Sequence, residues 1–125
     1  SDLVRYMVNE LDPAVEFYTK YFGFEIKQEK RPNFAVVAKG SLELVLSTTF
    51  GPGGAAQPMP DGRKPEPGGW NRIIIYVDNI SDEVGRLKKY NLHFRNEIVK
   101  GPGGSEIILD DPSGNPVELF EPARV

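Results

Sequence analysis

The sequence DDPSGNPVELF, residues 110–120, joins a tight turn to a strand and decides how the rest of the chain is interpreted. Asp, Pro, Ser, Gly and Asn each favour a turn for a separate backbone reason. The alternation in the last four residues predicts a half-buried strand, with Glu118 and Phe120 on one face and Val117 and Leu119 on the other. The stretch therefore predicts one wall of a cleft, or an ordinary edge strand whose Glu118 faces solvent.

The second half of the chain leads into this strand through a regular succession of elements. Alternating apolar residues, a helical stripe and Gly-Pro turns predict the order β-α-β-β-β. The predicted elements are a strand at 72–77, a helix at 81–90, and strands at 94–100, 106–109 and 117–120.

The first half repeats this order. Asp12 followed by Pro13 predicts a helix start, with a side-chain acceptor and then a proline at the first helical position. Gly23 predicts the C-terminal cap of the same helix. The predicted elements are a strand at 3–8, a helix at 13–22, and strands at 24–29, 34–38 and 42–47.

The spacing of the two halves indicates a duplication. An offset of 69 residues places Val8 on Val77, and strand alternation matches Glu43 with Glu118. A unit of about 55 residues is too large for a solenoid repeat. We therefore predict an α+β fold of two tandem β-α-β-β-β modules, forming an open barrel with a cleft between facing strands. The paired acids favour Glu118 in that cleft over Glu118 in solvent.

A segment rich in glycine and proline separates the two modules. Eleven of the nineteen residues from 51 to 69 are Gly or Pro, so neither a helix nor a central strand is expected there. Segments of this length without regular structure are usually functional or linkers. The chain is predicted to be a single domain, 1–125, with module 1 at 1–50, a linker and lid at 51–69, and module 2 at 70–125.

The amino-acid composition limits the kinds of molecule that the protein is expected to bind. A net charge of −3 disfavours a large nucleic-acid or anionic-membrane footprint, although a local basic pocket is compatible with it. The chain has no cysteine, which excludes disulfides and thiolate metal sites and fits a cytoplasmic protein. No apolar run approaches the roughly 20 residues that a membrane-spanning helix needs.

Several motifs give the chain a family resemblance. They are VNELD at 8–12, FY at 17–18, FGF at 22–24 and DPSGNPVE at 111–118. Together with the paired modules, they resemble the vicinal oxygen chelate superfamily, which holds glyoxalases, extradiol dioxygenases, and bleomycin- and fosfomycin-resistance proteins. The resemblance covers nearly the whole chain. It also implies a homodimer, because members commonly build their clefts from two modules of one chain or of two.

The resemblance implies four metal-ligand positions, and two of them have changed. Metal-dependent members place a His near the start of each module, where this chain has Leu3 and Arg72, and a Glu on each last strand, here Glu43 and Glu118. The chain's one histidine, His93, matches no ligand position, and we expect it to be a surface or packing residue. A metal-free member is therefore predicted, with a divalent ion held by Glu43 and Glu118 as the alternative.

Arginine near both acids strengthens the metal-free prediction. A guanidinium keeps its proton and matches a carboxylate with a planar fork of donors. We therefore expect Arg72 and Arg5 to pair with Glu43 and Glu118 where the family's metal would lie.

The predicted ligand-binding residues combine apolar walls with charges of both signs, as small-molecule sites do. They are Arg5, Met7, Phe34, Glu43, Trp70, Arg72, Tyr76, Glu118 and Phe120. The leading hypothesis is a protein that binds a small organic molecule, such as an antibiotic or another cyclic or conjugated compound. The alternatives are a glyoxalase-type lyase, isomerase or dioxygenase, and an interaction or regulatory domain with no small ligand. For the residues themselves, the simplest alternative is that the aromatics fill a closed core and the charges merely pair.

Overall fold

Two units with the same order of elements make up the fold. The computed structural model describes residues 2–124, and the chain divides into one unit that ends at Gly68 and a second that begins at Gly69. Each unit has a four-stranded path of hydrogen-bonded strands and one α-helix. The predicted α+β fold of two β-α-β-β-β modules is confirmed.

The first unit contains a four-stranded sheet and one long helix. Its elements are β1 (Val4–Val8), α1 (Leu11–Phe22), β2 (Glu25–Lys30), β3 (Phe34–Lys39) and β4 (Leu42–Thr48). The strand order is β1-β4-β3-β2; β1 runs parallel to β4, and the other pairs are antiparallel. The strands and the helix thus lie within one or two residues of the predicted bounds.

Helix α1 covers one face of this sheet. The side chains of Leu44, Leu46 and Val37 are fully buried, and the rings of Tyr6 and Tyr18 meet edge to face at 6.4 Å. Because successive strand residues point to opposite faces, the residues that alternate with these lie on the face away from the helix.

The ends of α1 show one confirmed and one corrected prediction. Gly23 caps the C-terminus at φ 72°, and its N–H donates to the carbonyl of Tyr18, as predicted. The helix begins at Leu11 rather than after Asp12, so Pro13 lies inside the first turn. Proline is tolerated there, because the first four amide groups of a helix have no partner within it. The Asp12 carboxylate instead pairs with Arg31.

The segment after β4 is not wholly irregular. Residues 51–68 group with the first unit, and Gly54–Ala56 form a short 3-10 helix. The expectation that no regular structure persists in this segment is wrong for these three residues. Two of the three are alanines, which favour a helical turn, although five prolines at 52–67 prevent anything longer.

The second unit repeats the plan with shorter outer strands. Its elements are β5 (Ile73–Tyr76), α2 (Ile80–Leu87), β6 (His93–Phe94), β7 (Val99–Gly101), β8 (Gly104–Asp110) and β9 (Pro116–Pro122). The strand order is β5-β9-β8-β6, and β7 also pairs with β8. Strand β9 therefore lies between two neighbours, and Glu118 is 4% exposed, which excludes the edge-strand alternative.

Two elements of the second unit differ from the predicted bounds by more than the one or two residues found for the other strands. Helix α2 starts one residue earlier than predicted and ends at Leu87, and the side chain of Asn79 caps it by accepting from the amide of Asp82. The predicted strand 94–100 is divided into β6 and β7. Between them, the Asn96 side chain accepts a hydrogen bond from the amide of Ile108 at 2.9 Å. A side chain thus replaces a backbone partner and interrupts the ladder.

The turn at 111–115 forms around one buried carboxylate. Oδ1 of Asp111 accepts hydrogen bonds from the amides of Ser113 (2.8 Å) and Asn115 (3.0 Å). Its Oδ2 accepts from the side-chain amide of Asn115 at 3.1 Å. The predicted turn is confirmed, and it delivers the chain into β9 antiparallel to β8.

The two modules differ in the register of their parallel strands. Ile74 lies opposite Glu118 across β5 and β9. At the predicted offset of 69, the corresponding residue of β1 is Arg5, and it lies opposite Val45. Glu43 is thus two residues away from the ladder position that corresponds to Glu118, so the two acids do not occupy equivalent places.

No helix within residues 2–124 is long and apolar enough to cross a membrane.

Glycine at 104 is required by space and by backbone conformation. Gly104 has φ 145°, and a Cβ there would collide with the carbonyl oxygen of Glu121 and lie 3.0 Å from the amide nitrogen of Ala123. We predict that Gly104→Ala lowers the free energy of unfolding by roughly 3 kcal/mol, since backbone strain and overpacking act together. Urea denaturation followed by circular dichroism would measure the change.

The neighbouring glycine provides the matched control. A Cβ on Gly103 meets no atom within 4 Å, so Gly103→Ala should change stability by no more than about 0.5 kcal/mol. Equal effects of the two substitutions would contradict the close approach of β8 to the end of β9.

Candidate functional site

The face of the first sheet that lies away from α1 contains a cavity of about 530 Å³. This volume falls within the range of roughly 300–1,000 Å³ that small-molecule sites occupy. All of its lining residues belong to the first unit: Leu3, Arg5, Lys27, Gln28, Asn33, Phe34, Val36, Glu43, Val45, Ser47, Thr48, Gly51 and residues 53–56. We call it the sheet pocket.

Strand alternation explains the floor of the sheet pocket. Val45 lies opposite Arg5 on β1 and opposite Val36 on β3, and Ser47 lies opposite Phe34. Directly opposed residues share a face, with Cβ atoms about 5 Å apart. The floor is therefore a continuous band of two valines and a phenylalanine beside one hydroxyl, flanked by a cation.

The segment after β4 supplies one wall of the pocket. The 3-10 helix Gly54–Ala56 and residues 51 and 53 line it. A Cβ on Gly51 would lie 3.1 Å from Oδ1 of Asn33, so the close packing of the Asn33 side chain on residue 51 favours glycine there. The carbonyl of Asn33 accepts both the amide (2.9 Å) and the hydroxyl (3.1 Å) of Thr48, which holds this end of the wall against β4.

A β-bulge in β2 brings two consecutive polar side chains to the pocket. The pairing of β2 with β3 shifts by one residue between Ile26 and Gln28. Both Lys27 and Gln28 line the cavity, although strict alternation would place them on opposite faces. The sequence gives no signal for a bulge at this point, so these two residues were not predicted.

Three of the predicted binding residues lie together in the sheet pocket: Arg5, Phe34 and Glu43. Met7 is half-buried on β1 and does not line the cavity. The other five predicted residues, Trp70, Arg72, Tyr76, Glu118 and Phe120, belong to the second unit.

The predicted pairing of arginine with glutamate occurs in the second unit. Nε of Arg72 donates to Oε1 of Glu118 at 2.9 Å, and its Nη1 donates to the carbonyl of Trp70 at 3.0 Å. The same expectation is wrong for Arg5, whose Nε donates to the hydroxyl of Ser47 at 3.1 Å. Within residues 2–124, Arg5 forms no ion pair with Glu43.

Glu118 lies on the sheet face away from α2. On the opposite face of β9, Glu121 accepts a hydrogen bond from the first amide of α2, that of Ile80, at 2.8 Å. Beside Glu118, the rings of Tyr76 and Phe120 meet edge to face at 5.8 Å. Tyr76 is 72% exposed, so this face combines a buried carboxylate with accessible aromatic surface.

Burial raises the pKa of Glu118 above its ordinary value of 4.5. The neighbouring Glu106 carboxyl raises this pKa further, while the Arg72 guanidinium lowers it. Glu106 was not among the predicted site residues. Its place on β8, opposite Phe120 and therefore on the same face as Glu118, follows from strand pairing, which the order of elements alone does not fix.

Trp70 has a structural partner of its own. Its ring lies 4.8 Å from the guanidinium carbon of Arg95, which donates to Asp110 (2.6 Å) and to the carbonyls of Gly69 (2.8 Å) and Gly114 (3.1 Å). Arg95 thus connects the start of the second unit to the turn before β9. The indole is nevertheless 71% exposed.

His93 lies at the surface. Its Nδ1 is 2.9 Å from Oδ2 of Asp110, and its side chain is 74% exposed. Asp110 also accepts from Arg95, so the imidazole lies at the edge of a network of polar side chains. This position agrees with the predicted surface or packing role.

The described part of the chain has few side chains suited to binding a metal ion. Between residues 2 and 124, no three His, Cys, Asp or Glu side chains come together in a way that could hold one. The Arg72 guanidinium bonded to Glu118 also repels a divalent cation.

The fold is thus that of a small protein built from a repeated β-α-β-β-β module, in which a helix accompanies each sheet. The model of the Glyoxalase/Bleomycin resistance protein/Dioxygenase superfamily matches residues 2–119. The chain belongs to this superfamily. No curated protein sequence matches it significantly.

Solved structures share the fold at low sequence identity. Lactoylglutathione lyase from Agrobacterium tumefaciens superposes with a TM-score of 0.72 at 20% identity, over 97% of this chain and 92% of that one. TnmS3, an antibiotic binding protein from Streptomyces sp. CB03234, gives 0.68 at 22%, over 98% and 97%. The fosfomycin resistance protein FosX from Listeria monocytogenes gives 0.72 at 15%, over 98% and 93%. Identities this low establish the fold alone.

The raised pKa of Glu118 makes stability depend on pH. Above pH 4.5 the unfolded chain loses the Glu118 proton while the native protein retains it, so this group's stabilisation falls as pH rises through the native pKa. Glu106→Gln removes one cause of the raised pKa. We predict that the melting temperature of Glu106→Gln, relative to the wild type, rises by a few degrees between about pH 4.5 and pH 8.

Thermal melts followed by circular dichroism at several pH values would test this. Glu97→Gln is the control, since Glu97 is exposed and does not contribute to the pKa of Glu118. A difference between Glu106→Gln and the wild type that stays constant with pH would contradict the proximity of the two carboxyls.

Proposed function

We propose that the protein binds a small organic molecule in the sheet pocket and does so without a metal ion. The observation that carries the proposal is a cavity of about 530 Å³ on a sheet face that the helix leaves uncovered. Its floor is apolar, and a few polar groups stand at its edge. Ligand sites have this composition, because apolar surface supplies affinity and sparse polar groups fix orientation.

The comparisons are compatible with this class of function. One protein of the same fold is described as an antibiotic binding protein and another as a fosfomycin resistance protein. An antibiotic or another cyclic or conjugated compound is therefore the class of ligand that we propose to test first. The band formed by Phe34, Val36 and Val45 suits such a compound, since a flat ring covers a flat apolar surface efficiently.

The alternative of a divalent ion held by Glu43 and Glu118 has less support. Arg72 already bonds to Glu118 at 2.9 Å, and Glu43 lies two residues away from the corresponding ladder position. Two carboxylates without an imidazole are also a poor donor set for a transition metal. The donors of this chain do not fit the metal that the family resemblance implies.

Metal-free acid-base chemistry is a second candidate function. It is favoured by the raised pKa of Glu118, which burial causes, since a carboxyl group with a raised pKa can act as a general base or acid near neutral pH. The Arg72 guanidinium opposes this use, because it stabilises the ionised form. Ligand binding without catalysis does not depend on the protonation state of Glu118, and it is the function that we put first.

Homodimerisation and a cytoplasmic location stay predictions. For the dimer, the exposed apolar side chains of the second unit provide support: Ile74 is 50% exposed, and Tyr76 and Trp70 are more exposed still. Apolar surface of this kind is often covered by a partner subunit.

A residue that fills the sheet pocket should abolish binding. Val36 lies on the floor and is half-buried, so Val36→Phe would place a ring where the ligand lies. We predict that the wild type binds the neutral fluorescent probe N-phenyl-1-naphthylamine at one site and that Val36→Phe weakens this binding at least about tenfold. Fluorescence titration measures the affinity, and a thermal melt checks that the variant is folded.

Val99→Phe is the matched control. Val99 is 49% exposed on β7 of the second unit, so the same change there should leave probe binding unaltered. If the wild type does not bind the probe, or if both variants bind it as well as the wild type does, the sheet pocket is not the binding site.

A further inference from the structure

We propose that the ligand of the sheet pocket is an aromatic or polycyclic acid whose anionic group is held by Arg5. This inference rests on the proposed binding function and adds the chemical class of the ligand. Three observations carry it: the donors that Arg5 leaves open, the charge balance of the pocket, and the position of Phe34 beside the residue that anchors Arg5.

Arg5 is anchored through one nitrogen only. Its Nε donates to the hydroxyl of Ser47 at 3.1 Å, across the parallel pair β1 and β4. Within residues 2–124, its two Nη nitrogens have no hydrogen-bonding or ionic partner. A guanidinium fixed at Nε presents its outer donors as a planar fork, which matches the paired oxygens of a carboxylate, sulfonate or phosphate.

Arg72 differs from Arg5 in how its guanidinium is bonded. Arg72 uses Nε for Glu118 and Nη1 for the carbonyl of Trp70, so its charge is already compensated within the second unit. Arg5 has Ser47 in the place of a carboxylate, and a hydroxyl group does not neutralise a cation. Arg5 is also exposed, so its outer donors are accessible to an incoming anion.

The residues that line the sheet pocket also have a net positive charge. Arg5 and Lys27 are cations and Glu43 is an anion, so two positive charges face one negative charge in a protein whose net charge is −3. Lys27 has an acidic neighbour in Glu25, but the separation is 3.7 Å and both side chains are more than half exposed. Such exposed pairs contribute little, so Lys27 remains available to an anion.

The aromatic and anionic halves of the ligand would bind next to each other. Phe34 lies directly opposite Ser47, the residue that holds Arg5, and opposed residues of a sheet have Cβ atoms about 5 Å apart. Val45 continues the apolar floor from Phe34 towards Arg5. A ring that rests on this floor would therefore place a directly attached acidic group at the Arg5 fork.

Two probes that differ in one anionic group test the inference. 8-Anilinonaphthalene-1-sulfonate is N-phenyl-1-naphthylamine with a sulfonate added, so their affinities isolate the contribution of the anion. We expect the wild type to bind the sulfonate more tightly than the neutral probe. Arg5→Gln should weaken sulfonate binding about tenfold and leave the affinity for the neutral probe within about twofold. Arg63→Gln is the control, because Arg63 is exposed outside the pocket and pairs with Asp61.

Each outcome separates this inference from the proposed function. Equal losses for both probes in Arg5→Gln would show that Arg5 maintains the pocket and does not recognise an anion, and would overturn the inference. Unchanged sulfonate affinity would overturn it as well. In both cases, loss of neutral-probe binding in Val36→Phe would still support the proposed function, whereas binding that survives in Val36→Phe would contradict both proposals.

Discussion

One helix can cover only one face of a sheet, and this constraint shapes the first unit. Helix α1 packs its aromatic residues, Phe17 and Tyr18 among them, against fully buried strand residues such as Leu44 and Leu46. The residues between these, Val45 and Ser47, necessarily point the other way. That second face is apolar at its centre and has no helix of its own. Burying it requires another surface, and the cavity of about 530 Å³ above it is where we propose that a ligand lies.

The arginines of the two modules have different hydrogen-bond partners. In the second unit, the buried Glu118 is bonded to Arg72 and lies near Glu106, so a cation compensates the acid inside the protein. In the first unit, Arg5 bonds to the neutral hydroxyl of Ser47. A buried pair of charges contributes little net stability because desolvation offsets the attraction, but it fixes positions. An arginine without a paired acid is instead free to bind a ligand.

Sequence patterns predicted the fold well, because each element is encoded locally. The cap at Gly23, the turn around Asp111 and the alternation through Glu118 all depend on residues close in the chain. The errors in the predicted strands also have local physical causes. The Asn96 side chain replaces a backbone partner and divides a strand, and a bulge in β2 turns two neighbouring side chains to one face.

The lining of the sheet pocket was predicted less completely, because it depends on strand pairing and on a loop. Alternation was enough to predict Arg5, Phe34 and Glu43, which the structure brings together. The match of Glu43 with Glu118 assumed that β1 pairs with β4 in the same register as β5 pairs with β9. The two pairings differ by two residues, so this match is wrong. The wall formed by residues 53–56 follows from the path of a segment rich in glycine and proline, which no periodic pattern describes.

The central claim is that the sheet face away from α1 receives the ligand, and nuclear magnetic resonance of labelled methyl groups tests it most directly. Titration with N-phenyl-1-naphthylamine should shift the methyl signals of Val36, Val45 and Ala55, which line the pocket. The methyl signals of Leu44 and Leu46, which are fully buried beneath the helix, should move much less. Shifts confined to the second unit, or larger at the two leucines than at the two valines, would contradict the claim.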